Sequence, residues 1–213
     1  MNKRFLLILV GIVVIFGGLL VFNKREADAP TENGGGTAQL SEHKEEGSTG
    51  VILTEYGDFE CPACGQFYPL IKQLKQQYKG RVTFQFRHFP LTEIHQNALI
   101  SARAAEAAAV QGKFFEMHDK LYEGQASWKA SANPASIFEA YAKDLGLDIP
   151  KFQQDMKSEK TNDVVQADRA EARKQGYQST PTFILDGKKI ENPTTMEAFT
   201  KLLDDAIKAK QKS

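Results

Sequence analysis

The strongest constraint on this chain is its pair of cysteines, Cys61 and Cys64, the only two among 213 residues. They lie close together in the segment Phe59 to Gly65 (FECPACG). Since neither has another thiol to bond, two uses remain: a redox pair that closes on itself, or half of a metal site. Zinc needs about four ligands, and the histidines are scattered singly along the chain at His43, His88, His95 and His118. We therefore predict a redox pair and no metal.

An apolar run from Phe5 to Phe22 carries no charge over eighteen residues and is flanked by two basic residues on each side. A helix of this length, at about 1.5 Å per residue, spans roughly 27 Å, close to the thickness of a bilayer core. The alternative is a cleaved signal peptide, whose apolar region is usually shorter, about 7–15 residues. We predict a membrane anchor or signal segment over residues 1–25 and favour an uncleaved transmembrane helix.

Either segment would carry the remainder of the chain out of the cytoplasm, to where disulfides persist. Residues 26–50 are polar, rich in glycine and without an apolar period, which is typical of a flexible linker. Residues 51–213 are long enough for one domain with a sizeable core. The chain has 27 basic and 27 acidic residues, and this balance does not indicate a nucleic-acid-binding surface.

The first part of this domain predicts a β-α-β unit. Residues 51–56 (VILTEY) have the pattern of a buried strand, a helix should run from Pro62 to about Tyr78, and residues 81–89 (RVTFQFRHF) alternate as a second strand. A strand, a helix and a strand in this order predict a parallel pair joined by a right-handed crossover.

The second part predicts a helical insertion and then a return to strands. Residues 93–176 contain almost no strand signal and predict a block of helices. Residues 182–185 and 188–190 are strand-like and are joined by Asp186-Gly187, a strong hairpin signal. A last helix should begin after Thr194 or Thr195. The predicted fold class is therefore α/β, in the order β-α-β, helical block, β-β-α.

The two cysteines should sit at the start of the first helix of this frame. Unpaired N–H groups and the helix dipole there favour the thiolate form of Cys61, which is the species that attacks a disulfide. Cys64, one turn further into the helix, would be shielded and suited to resolving a mixed disulfide.

Other residues fit this redox interpretation. Glu55 lies six residues before the first cysteine, where a buried carboxylate would have a raised pKa and could exchange a proton with Cys64. Spacing alone equally allows Glu55 to face solvent. Pro69 lies inside the predicted helix and should kink it. Thr180-Pro181 precedes the third strand and is a candidate for a cis peptide bond.

Together these residues resemble the thioredoxin superfamily, and within it the DsbA-like thiol-disulfide oxidoreductases, over about residues 51–208. The resemblance rests on Cys61-Pro62-Ala63-Cys64, Glu55, Pro69 and Thr180-Pro181-Thr182-Phe183. The helical block separates the DsbA-like branch from plain thioredoxins. Residues 87–91 (RHFPL) are also similar to a segment of membrane-anchored or secreted bacterial members.

The resemblance implies a thioredoxin-like fold and an enzyme that introduces disulfide bonds into exported proteins without a cofactor. Cys61 would be the exposed nucleophile, Cys64 the buried resolving thiol and Glu55 the proton-transfer carboxylate. Thr180 and a cis Pro181 would pack beside the disulfide and offer backbone groups to an extended substrate strand. The implied partners are reduced exported proteins and a membrane reoxidase of the DsbB or VKOR-like kind, with residues 5–22 held in the cell membrane.

The residues between the cysteines depart from the pattern of the strongly oxidising members, which commonly have Pro-His where this chain has Pro62-Ala63. Ala63 cannot add an imidazole beside the Cys61 thiolate, and the negative charge of Glu60 would disfavour it. We therefore expect a less depressed pKa for Cys61 and a less oxidising couple. A disulfide reductase or isomerase remains an alternative, as does a tethered binding or chaperone module with a structural disulfide.

Overall fold

The computed structural model describes residues 39–212. The predicted membrane segment, at residues 5–22, and most of the predicted linker lie outside the described residues. Among residues 39–212, no helix is both long and apolar enough to cross a membrane.

The described residues form one mixed sheet of five strands. In chain order the strands are β1 (His43–Glu45), β2 (Ile52–Gly57), β3 (Thr83–His88), β4 (Thr182–Leu185) and β5 (Lys188–Lys189). Their order across the sheet is β1-β3-β2-β4-β5. Strands β2 and β3 are parallel, as the β-α-β pattern predicts, and the other neighbouring pairs are antiparallel.

Helix α1 (Pro62–Gln77) is the crossover between the two parallel strands. Its buried face carries Ile71 and Leu74 and is continued by Tyr78 just beyond the last turn. This helical spacing of apolar side chains is the signal that predicts the helix. Pro69 lies inside α1, and the helix continues past it to Gln77.

The predicted helical insertion is confirmed. Between β3 and β4, within the described residues, lie α2 (Ala98–Ala109), α3 (Phe114–Glu123), α4 (Gln125–Trp128), α5 (Pro134–Asp144), α6 (Ile149–Lys157) and α7 (Glu159–Lys174). Helix α2 is rich in alanine, and its small buried side chains allow α3, α5, α6 and α7 to pack closely around it. The insertion therefore has α2 at its centre.

The chain returns to the sheet through the predicted hairpin. Asp186 and Gly187 have φ angles of 48° and 79°, and two positive φ angles give the type I′ turn that matches the twist of paired strands. Helix α8 (Met196–Lys210) follows, and the Thr195 hydroxyl caps it by accepting a hydrogen bond from the Ala198 N–H at 3.2 Å. Its buried face packs against the sheet beside α1.

The folded region begins earlier than the sequence predicts. Residues 43–45, placed in the predicted linker, form β1 and pair with β3, and Ser41 donates its backbone N–H to the Asp168 carboxylate at 3.0 Å. A three-residue strand is too short to show a period of two, and its residues (HKE) are all polar. Hydrogen bonds and the contacts of His43, rather than apolar burial, hold this strand.

Two large apolar cores lie side by side on the face of the sheet that carries Phe84 and Phe86, and a smaller apolar cluster lies on the other face. One of the large cores is built from β2, β3, β4, α1 and α8, and the other lies between the sheet and the insertion and includes both cysteines. Trp128 is at the centre of the second core: it is fully buried, its indole N–H donates to the Leu121 carbonyl at 2.8 Å, and its ring lies edge-on to Phe138. Trp128 is thus a core residue and not part of a substrate surface.

Replacing Trp128 should unfold the insertion first. We expect Trp128→Ala to lower the free energy of unfolding by about 3–5 kcal/mol, since it leaves a cavity where a large side chain was fully packed. Urea denaturation followed by circular dichroism measures this loss. The matched control is Ile94→Ala, at a side chain that is 73% exposed, which should change stability by less than about 0.5 kcal/mol. Equal losses in both variants would contradict the packing described.

Candidate active site

The two cysteines lie where β2 ends and α1 begins. Cys61 is the N-cap residue of α1 with extended backbone angles, and Pro62 follows at the first helical position, where its missing N–H is tolerated. Cys61 is 6% exposed and Cys64 is fully buried, and both are free thiols. Only the first cysteine therefore has any surface exposed to solvent.

The environment of Cys61 favours its thiolate. The hydrogen bond from the Cys64 thiol is the largest cause that lowers the pKa of Cys61, to about 5, against the opposing effect of burial. The side chain of Thr180 and the backbone N–H groups of Ala63 and Cys64 act in the same direction. This value lies between about 7 for thioredoxin and about 3.5 for DsbA.

The pKa of Cys64 is shifted in the opposite direction. Burial raises its pKa well above the ordinary value, and the hydrogen bond it donates to Cys61 and the charge of Glu55 raise it further. One sulfur in the pair is therefore stable as a thiolate and its neighbour is stable as a thiol.

Glu55 lies on β2 and points into the core. Its side chain is buried, which decides between the two orientations that its spacing allowed. Burial raises the pKa of Glu55 to about 8, while the nearby charge of Lys75 opposes that rise. A cavity of about 20 Å³ adjoins the carboxyl group, lined also by Lys75 and His118. This volume is enough for a single water molecule.

Thr180 and Pro181 complete the wall beside the first cysteine. Their peptide bond is cis, as the sequence suggested, and both residues are buried. In its protonated form the Cys61 thiol donates a hydrogen bond to the Thr180 carbonyl at 3.3 Å, and the Asn192 amide donates to the Pro181 carbonyl at 2.8 Å. The structure therefore brings both predicted motifs, which are more than a hundred residues apart, into contact.

Glu60, beside the first cysteine, binds the start of the insertion. Its carboxylate accepts the backbone N–H of Asn97 at 2.5 Å, at the start of α2, and burial raises the pKa of Glu60. Glu60 is absent from the main influences on the Cys61 thiol. The Glu60 side chain thus binds the N-terminus of the insertion helix, and its electrostatic effect on Cys61 stays a prediction.

Two further residues hold the cysteine loop and were not found from the sequence. The Gln125 amide donates to the carbonyls of Phe59 and Cys61 at 2.7 and 2.9 Å. Asp58 is buried and accepts the backbone N–H groups of Glu60 and Leu91 at 2.8 and 2.9 Å. A short-range turn signal exists for Asp58, which precedes the motif, but no local pattern points to a glutamine over sixty residues away.

The ionisation of Cys61 can be measured directly. In the reduced protein, the ultraviolet absorbance of the thiolate should titrate with a midpoint near pH 5. Cys64→Ala should raise that midpoint by at least one unit because it removes the donor that most stabilises the thiolate, whereas Cys64→Ser keeps a donor and should raise it less. A midpoint near the free-thiol value of about 8.5 in the unchanged protein would contradict this site.

Comparison with known proteins agrees with this fold. The chain matches the Thioredoxin_4 family model, described as thioredoxin, over residues 46–205. Among solved structures it is similar to BdbD from Bacillus subtilis, with 24% identity, a TM-score of 0.66, and coverage of 74% of this chain and 88% of that chain. It is also similar to alpha-DsbA1 from Wolbachia pipientis, with 21% identity, a TM-score of 0.69, and coverage of 80% and 94%.

Curated relatives carry a different name. The chain is 37% identical over 150 residues to Na(+)/H(+) antiporter NhaA 3 from Salinispora tropica, covering 70% of this chain and 22% of that protein. It is 35% identical over 158 residues to NhaA 1 from Mycobacterium sp. (strain KMS), covering 72% and 25%. The chain thus spans about a quarter of the length of these relatives. By its family match the chain belongs to the thioredoxin family, and its fold is the DsbA-like form with a helical insertion.

Proposed function

We propose that this protein is a thiol-disulfide oxidoreductase that introduces disulfide bonds into exported proteins through Cys61 and Cys64. The observation that carries this proposal is the opposite ionisation of the two thiols, with the pKa of Cys61 lowered to about 5 and that of Cys64 raised. A structural disulfide requires no such difference. The polarised pair therefore supports exchange chemistry over a tethered binding or chaperone module.

The first step begins from the closed disulfide. A substrate thiolate attacks the sulfur of Cys61, the bond between Cys61 and Cys64 breaks, and the Cys64 sulfur leaves with the electron pair. A mixed disulfide between the substrate and Cys61 results. Attack at Cys61 rather than Cys64 follows from exposure, since the Cys64 sulfur is fully buried.

The second step releases the oxidised substrate. A second substrate thiolate attacks the substrate sulfur of the mixed disulfide, and Cys61 leaves as a thiolate. Two electrons have then moved from the substrate dithiol to the enzyme. The lowered pKa of Cys61 makes it a good leaving group in this step.

Glu55 is the proposed source of the proton that Cys64 takes up in the first step. With a pKa raised to about 8, Glu55 is protonated near neutral pH and can donate to the departing sulfur. The small cavity beside it adjoins a cleft of about 640 Å³, and both are lined by Lys75 and His118. Water in these spaces would return the proton to Glu55 from solvent.

The direction of exchange depends on how strongly the reduced enzyme is stabilised. A thiolate held by hydrogen bonds stabilises the reduced form, which makes the disulfide a better oxidant. A pKa of about 5 for Cys61 favours oxidation over the reductase alternative. The Pro62-Ala63 dipeptide, without an imidazole, favours a weaker oxidant than DsbA.

The cellular setting is part of the proposal. We place the domain on the extracytoplasmic side of the cell membrane, tethered through the apolar run at residues 5–22, or secreted if that segment is cleaved. After each turnover the reduced pair would be reoxidised by a membrane partner of the DsbB or VKOR-like kind. An extended segment of the substrate would align beside Thr180 and Pro181.

The reduction potential separates the oxidase from its alternatives. A potential between about −120 and −200 mV, with oxidation of a reduced test peptide, is expected for the oxidase. A value near −270 mV, about that of thioredoxin, would instead identify a reductant. Cys61→Ser is the control, and it should abolish peptide oxidation. Unchanged oxidation by that variant would rule out exchange through this pair.

Glu55→Gln tests the proton transfer. At pH 7 we expect peptide oxidation to slow by at least about tenfold, since glutamine cannot donate a proton to Cys64. The oxidation rate of the unchanged protein, divided by that of Glu55→Gln, should fall as the pH rises through about 8, because Glu55 itself then becomes ionised. Glu197→Gln, at an exposed site on α8, is the matched control and should keep the normal rate. A rate ratio independent of pH would contradict a proton-transfer role.

A further inference from the structure

A second group of chemically active side chains lies in the fold apart from the thiol pair: His43 on β1, His88 on β3 and Glu106 on α2. His43 pairs across the sheet with Phe86, so His43 and His88 are diagonal neighbours on one face of the antiparallel pair. The Glu106 carboxylate oxygen lies 2.5 Å from the His43 Nε2 and 2.7 Å from the His88 Nε2. All three donor atoms lie within 4.8 Å of one another.

The two imidazole rings are held in place by aromatic side chains. The His43 ring stacks on Phe114, with ring centroids 3.5 Å apart and an angle of 7° between the planes. The His88 ring lies edge-on to Phe86 and Phe114. This apolar surrounding excludes competing water and fixes the ring orientations, both of which favour a preformed ligand site.

A buried carboxylate braces the strands that carry the two histidines. Asp168 is fully buried and accepts hydrogen bonds from the Ser41 N–H at 3.0 Å, the His88 backbone N–H at 2.9 Å and the Arg87 guanidinium at 3.1 Å. Ser41 lies two residues before His43. The positions of both imidazoles are therefore set by a second layer of hydrogen bonds.

Hydrogen bonding within the group does not satisfy all of its members. The Nδ1 atom of His88 is buried and has no hydrogen-bond partner among the described residues. A buried polar atom without a partner is destabilising and rare. The ring meets the other two members through its Nε2 atom, so Nε2 is the nitrogen open to a ligand in place of the hydrogen bond to Glu106, and Nδ1 would keep the ring proton.

We propose that His43, His88 and Glu106 form a binding site for a divalent transition-metal ion, with Zn²⁺ as the ion that fits best. Two imidazole nitrogens and one carboxylate oxygen are the three protein ligands of several zinc sites that keep a fourth position open. Calcium and magnesium prefer oxygen ligands throughout. The site would clamp the edge strand β1 to β3 and to the insertion.

Binding requires a small movement and the loss of protons. Tetrahedral coordination with bonds of about 2.0–2.1 Å places neighbouring donor atoms about 3.3 Å apart, wider than the present hydrogen-bonded separations of 2.5 and 2.7 Å. His43 can provide this space, because its side chain is 13% exposed while that of His88 is 1% exposed. The ion takes the place of the hydrogen bonds at the two Nε2 atoms: each imidazole binds as the neutral ring with its proton on Nδ1, any second proton of an imidazolium is released to solvent, and water takes the fourth position on the open side.

The test uses the full chain without a histidine tag and with the Cys61–Cys64 disulfide closed, so that the thiols cannot bind metal. Zn²⁺ is titrated by calorimetry, and Co²⁺ by its visible absorption, which reports tetrahedral coordination. We expect one equivalent of Zn²⁺ per chain. Glu106→Gln and His43→Asn should each weaken binding at least tenfold. His95→Gln, which removes a histidine outside the group, is the matched control and should bind as the parent does.

A second measurement covers variants that fold poorly. Zn²⁺ should raise the melting temperature of the parent protein, since a ligand that binds only the folded state stabilises it, and it should not raise that of His43→Asn. A dissociation constant weaker than about 100 μM, or equal binding by His43→Asn and the parent, would overturn the proposal. Because binding is measured on the closed disulfide, failure of disulfide exchange would leave this result unaffected.

Discussion

The antiparallel pairing of β2 with β4 is the constraint on which the rest of the site depends. It sets Tyr56 opposite Thr182, so the end of β2 and the start of β4 lie side by side. The cysteine loop leaves from the first of these points, and the cis peptide enters at the second. Any shift in this register would separate the Cys61 sulfur from the Thr180 carbonyl and remove one wall of the site.

Three ionisable groups at the end of β2 and the start of α1 are buried, yet their pKa values shift in different directions. Desolvation raises the pKa values of Glu55 and Cys64, yet the pKa of Cys61 falls because hydrogen bonds to its sulfur outweigh its own loss of water. The difference arises mainly from the hydrogen bond that Cys64 donates to Cys61, with a smaller effect from the free N–H groups at the helix start where Cys61 lies. A single environment thus yields one thiol with a lowered pKa, one buried thiol with a raised pKa and one carboxyl group with a raised pKa.

Much of the fold and the centre of the site could be predicted from local sequence. The β-α-β unit, the hairpin and the cysteine motif each depend on residues close together in the chain, where periodicity and turn chemistry are informative. The contacts of Gln125 with Cys61 and of His43 with Glu106 could not be predicted in this way. They join residues 64 and 63 positions apart through packing that no short pattern encodes. Strand β1 could not be predicted either, because it is short and entirely polar. For the same reason no local pattern indicated that His43 and His88 lie close together.

The two hydrogen bonds from Gln125 have a consequence for the insertion as a whole. Gln125 lies on α4, which also carries the buried Trp128, and its amide binds the backbone carbonyls on both sides of Glu60. The Gln125 side chain fits here because residue 65 is a glycine. A methyl group at Gly65 would lie 2.6 Å from the amide oxygen of Gln125. The insertion is therefore a mechanical support for the reactive loop, and loosening its core would be transmitted to the sulfur atoms without any change in the motif itself.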